Sequence, residues 1–144
     1  MKKTILTLLF IAFTVTAFTQ NGERKEQIKS LKIAFITEKL ELTEAEAQKF
    51  WPIYNAHELE MEMLRINGRE KRRNLNLETL TEEKAVIALQ DLMTFENEQH
   101  KLREDFIKSL MTAIPAKKII LLKVVEDQFK KRMLEELKKR RKKF

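Results

Sequence analysis

Apolar side chains recur in steps of three and four along most of the chain, and this spacing predicts four helices. Over residues 23–40, Ile28, Leu31, Phe35 and the Lys39/Leu40 pair fall at helical intervals, with Lys and Glu between them. A second helix starts at Thr43. Leu42-Thr43-Glu44-Ala45-Glu46 places Thr at the N-cap and Glu at N3, a capping box in which each side chain satisfies a backbone donor the helix leaves unpaired. Ala47, Phe50, Tyr54, His57, Met61, Leu64 and Gly68 then form one stripe, followed by the cations of Arg69 to Arg73, which suit the negative end of the helix dipole. Pro52 removes the bond to the Gln48 carbonyl, so a kink near Phe50 and Trp51 is expected in preference to a stop and restart.

Residues 74–80 read as a loop. Thr81 caps a third helix whose first turn carries Glu82 and Glu83 and whose stripe is Ala85, Leu89, Leu92, Phe95, Gln99, Leu102, Phe106, Leu110 and Ala113. Ile114-Pro115 ends it, because a residue before proline avoids the helical region, and Pro115 suits the first position of the next helix. The fourth stripe is Ile119, Leu122, Val125, Phe129, Met133 and Leu137. The expected fold is all-α: four helices as two antiparallel hairpins, with a long central pair of about 30 residues, roughly 45 Å, each. Such hairpins have much surface and little core, so an elongated homodimer and a monomeric bundle both fit.

The N-terminus changes the picture. Met1-Lys2-Lys3 precedes an apolar run from Ile5 to Phe18, interrupted only by Thr, and the chain turns polar at Gln20. The run is shorter than the roughly 20 residues a spanning helix needs, and it reads as a secretory signal. Cleavage after Ala17 or after Thr19 satisfies the small-residue rule; we take residues 1–19 as the signal and 20–144 as one helical domain in the periplasm, with no stable membrane insertion afterwards. With no Cys and only two Gly and two Pro, disulfides, lipid attachment at Cys and a many-stranded β fold are disfavoured.

Net charge is +7, and the fifteen residues from Lys130 to Phe144 alone carry nine Lys or Arg against two Glu. In an exported protein this favours anionic surfaces or acidic polypeptide over nucleic acid. Two basic groups stand out as polypeptide-binding candidates: Arg65, Arg69, Lys71, Arg72 and Arg73, and the tail Lys138, Lys139, Arg140, Arg141, Lys142 and Lys143. A cationic surface edged with apolar side chains attracts a partner at long range and then buries it.

Catalysis has few parts here: two Ser, no Cys and no Gly-rich loop. The sharpest alternative is a divalent transition metal. In an antiparallel hairpin with its midpoint between Glu78 and Thr79, His57 and His100 share a level, with Met61 one turn from the first and Glu96 and Glu104 one turn either side of the second. No other cofactor is expected.

The run Leu42-Thr43-Glu44-Ala45-Glu46-Ala47-Gln48-Lys49-Phe50-Trp51-Pro52-Ile53-Tyr54-Asn55, with the export signal, resembles the periplasmic Spy/CpxP-like family, whose helices open on a Leu-Thr-x-x-Gln motif. It looks closest to the Bacteroidetes-type branch described as sensors of extracytoplasmic sigma factors or of heavy metals. Here Glu46 replaces the motif's Gln, the second copy has Lys84, and the copy before the last helix reads Ile114-Pro115-Ala116-Lys117-Lys118. The resemblance implies a cradle-shaped helical dimer acting as a chaperone for unfolded envelope proteins, or as a stress or metal sensor with a membrane-bound signalling partner.

Overall fold

The computed structural model describes residues 22–141, with side chains through 139. The signal assigned to residues 1–19, Lys142, Lys143 and the side chains of Arg140 and Arg141 therefore lie outside the described residues. The fold is all-α, with α1 over 22–39, α2 at Glu44–Arg73, α3 at Glu82–Met111 and α4 at Ala116–Arg141.

Local chemistry accounts for the boundaries. At Thr43 the capping box closes in both directions: Glu46 N–H donates to Thr43 Oγ1 at 3.2 Å, and Thr43 N–H donates to Glu46 Oε2 at 2.8 Å. Thr81 caps α3 by accepting from Lys84 N–H, but Lys at N3 has no acceptor to return the bond. α1 ends as Glu41 turns into the left-handed region at φ 48°, a conformation glycine usually supplies. α2 runs unbroken through Pro52. Pro115 lies one residue earlier than expected relative to its helix: its carbonyl accepts from Lys118 and Ile119 N–H, which makes it the cap of α4 and not its first residue.

The chain forms two compact units, Leu42–Leu121 and the described parts of Met1–Glu41 with Leu122–Phe144. In the second, α1 meets the later part of α4: the Phe35 ring lies 5.6 Å from Phe129, with the Arg132 guanidinium 5.8 Å from Phe35. Ile36, Leu40, Leu122, Val125 and Phe129 are buried. Ile28 and Leu31, expected in the α1 stripe, are exposed, as is Leu137 at the far end of α4; Leu40 is buried as expected, and Ile36 joins it in the core.

In the unit Leu42–Leu121, α2 and α3 form the long antiparallel hairpin. Phe106 lies against Tyr54 and His57, Phe95 against Gly68, and Asp91 against Lys71, so numbering falls on one helix as it rises on the other. The α2 stripe is as expected: Phe50, Tyr54, Met61 and Gly68 are buried, and Ala47, His57 and Leu64 are half-buried. The α3 stripe is corrected at its start. Leu89 and Leu92 are 61% and 43% exposed, and the half-buried positions are Ala85, Ala88 and Asp91. A reading by hydrophobicity prefers Leu to Ala and Asp, but small residues let α3 approach α2 here, and Asp91 is matched by Lys71 across the hairpin at 2.6 Å.

That pair also fixes the register. Lys71 stands two residues before the end of α2, whereas Asp91 stands nine residues into α3. The first two turns of α3 thus run past the end of α2, with only the loop beside them.

Candidate functional site

The two ends of the α2–α3 hairpin differ. At its base the aromatic side chains close on one another. Phe50 stacks on Tyr54 at 5.3 Å and takes Trp51 edge-on at 5.0 Å, Tyr54 meets Phe106 at 6.0 Å, and the His57 imidazole lies parallel to Phe106 at 4.0 Å. Beside this cluster Glu46 Oε2 accepts from Lys118 Nζ at 2.7 Å, in a pair mostly withdrawn from solvent. The Lys118 hydrogen bond, then the Thr43 backbone N–H, holds the Glu46 carboxyl below the ordinary carboxylate range. Glu46 thus joins the start of α2 to the start of α4.

At the loop end a cleft of about 840 Å³ opens between α2, α3 and the loop. Leu64, Leu75, Leu80, Ile87, Leu89 and Leu92 give it apolar walls. Gly68, Ala85 and Ala88 leave its floor nearly free of side chains, and a Cβ at Gly68 would stand 3.0 Å from the Phe95 ring. Lys71, Arg72 and Lys84 are the cations at its edge, with Asp91 and Glu98 as acids.

Outside the cleft, Leu59, Met63 and Ile66 of α2 are 63%, 50% and 41% exposed. Each lies two residues from a stripe position, a rotation of about 200°, which turns it away from α3. Val86 and Met93, one heptad apart, form a comparable exposed pair on α3. Sequence reading missed both because a second apolar periodicity is hidden behind the stronger buried one.

The basic candidates on α2 surround this end. Arg65 and Arg73 are exposed, Arg69 bonds Glu62 at 2.9 Å, Lys71 pairs with Asp91, and the Arg72 guanidinium lies 5.7 Å from the Phe95 ring centre. In the other unit Lys138 and Lys139 are exposed, the latter bonded to Glu136 at 3.0 Å.

The metal candidates are placed differently from the sequence expectation. His57 and Met61 lie on the inner face of α2, the latter buried. The residue opposite His57 is Phe106, and His100 stands six residues away along α3, roughly 9 Å. The assumed midpoint placed the register too early because it took the two helices to end level. His100, Glu96 and Glu104 are exposed. Glu104 accepts from Lys108 Nζ at 2.7 Å, and that bond, followed by the Lys108 charge, holds its carboxyl below the usual range. Among the described residues no group of three or more His, Cys, Asp or Glu is arranged to hold a metal ion.

No helix among the described residues is long and apolar enough to cross a membrane. Comparison with family models, curated proteins and solved structures finds no match.

Proposed function

We propose that this chain is an exported, non-enzymatic periplasmic binding protein that holds polypeptide on the loop end of its α2–α3 hairpin, as a chaperone-like or stress-sensing adaptor. The observation that carries this reading is the set of exposed apolar side chains in the loop half of the hairpin, Met63 and Ile66 of α2 with Val86 and Met93 of α3, near the cationic run from Arg65 to Arg73. Exposed apolar rows offer a partner surface to bury, and cations beside them draw in acidic segments before burial begins. The resemblance of Leu42 to Asn55 to the Spy/CpxP-like motif supports the same reading.

The test is suppression of aggregation of an acidic unfolded client. Equimolar protein should slow light scattering, and added salt should weaken the effect because exposed charges are screened over about 10 Å at 0.1 M. No effect on any client at equimolar ratio overturns the proposal. Export is tested separately: N-terminal sequencing of the periplasmic protein should begin at Gln20.

A further inference from the structure

We infer that the cleft at the loop end of the hairpin is a binding site for a single-chain anionic amphiphile, specifically a long-chain fatty acid. This goes beyond polypeptide holding and does not rest on it, because it uses the slot between α2 and α3 and not the rows turned away from it. A cleft of about 840 Å³ is of the size that holds small ligands, and Leu64, Leu75, Leu80, Ile87, Leu89 and Leu92 give it an apolar interior, while polar and charged side chains make up the other half of its lining.

Its shape follows from the register. Since α3 runs two turns past α2, Leu75 and Leu80 of the loop stand where a helix would otherwise pack, and Gly68, Ala85 and Ala88 leave a slot between the walls. Phe95 lies over Gly68 and closes one end. An unbranched apolar tail fills a slot of this kind and removes its walls from water.

The edge selects the charge of the head. Of the three cations there, Lys71 is matched by Asp91 at 2.6 Å. The Arg72 guanidinium is held at the Phe95 ring face, which fixes its direction without neutralising it. Lys84 faces the same opening from the first turn of α3, and Glu98 is the one lining acid beyond the Lys71–Asp91 pair. The lining thus holds three cations against two acids, an excess suited to one carboxylate, and Arg72 can take it in two parallel hydrogen bonds.

Titration of the full chain with oleate below its micelle-forming concentration, read by calorimetry, tests the inference. Saturable one-to-one binding is expected. Oleyl alcohol, with the same tail and no charge, should bind more weakly, on the order of fivefold, as should oleate to the Arg72→Ala/Lys84→Ala variant. Ala88→Phe should abolish binding by filling the slot, with circular dichroism showing that the helices remain. Met63→Ser, on the outward row, should bind oleate as the parent does while holding polypeptide less well, which separates the two proposals. Absence of saturable binding, equal affinity for the alcohol, or undiminished binding to Ala88→Phe would each overturn it.

Discussion

The base and the loop end of the α2–α3 hairpin are built from the same two helices, yet among the described residues only the base buries large apolar side chains from both of them. At the base α2, α3 and the first turn of α4 stand side by side, and Phe50, Tyr54, Leu110 and Ile114 are buried. At the loop end α3 continues alone, and Val86, Ile87 and Leu89 stay exposed. The base holds most of the aromatic side chains, and it also has more neighbouring segments. A helix two turns longer than its partner has apolar positions with nothing to pack against. The base therefore supplies stability, and the loop end supplies surface.

The largest expected effect tests the stability half. Phe50→Ala removes a fully buried ring and should cost about 3–5 kcal/mol in denaturant unfolding. Leu89→Ala, on an exposed position of α3, should change stability by no more than about 0.5 kcal/mol. Equal costs would mean that the loop end is as well packed as the base.

A smaller effect locates where packing gives out. Gly68→Leu drives a side chain into the Phe95 ring and should destabilise by about 1–3 kcal/mol. Adding Phe95→Ala should recover most of that loss, a non-additivity readable in a double-mutant cycle. Gly68→Ala is milder, since the gain in helix propensity, about 1 kcal/mol, offsets the contact.

The smallest effect concerns pH. Glu46 is more acidic folded than unfolded, chiefly through its bond to Lys118. Its contribution is present above the ordinary Glu value of about 4.3 and is lost as pH falls through the lower folded value. Acid unfolding curves of Glu46→Gln should be flatter across that interval, since Gln can still cap Thr43 but has no charge to lose. An unchanged pH profile would remove Glu46 as a link between α2 and α4.

Much of this was legible in the sequence, for identifiable reasons. The caps at Thr43 and Thr81, the α2 stripe and the loop at residues 74–80 depend on local spacing, and spacing is what a sequence displays directly. Ala88 and Asp91 were not legible as inward positions, since one is small and the other charged, and only a partner across the hairpin justifies them. The distance between His57 and His100 failed for a related reason: it required knowing which residues face each other, and the overrun of α3 is a tertiary property. The cleft follows from that overrun, so it too was out of reach. Gly68 offered the best available hint, because a glycine deep in a helix marks a close approach or a weakness.

The claim on which the account rests is that the loop end is the working surface. Aggregation suppression should be compared for two matched variants, Val86→Ser/Met93→Ser at the loop end and Ile107→Ser/Met111→Ser on exposed positions near the base. The first should lose most of its holding activity and the second should retain it; equal activity in both would contradict the account.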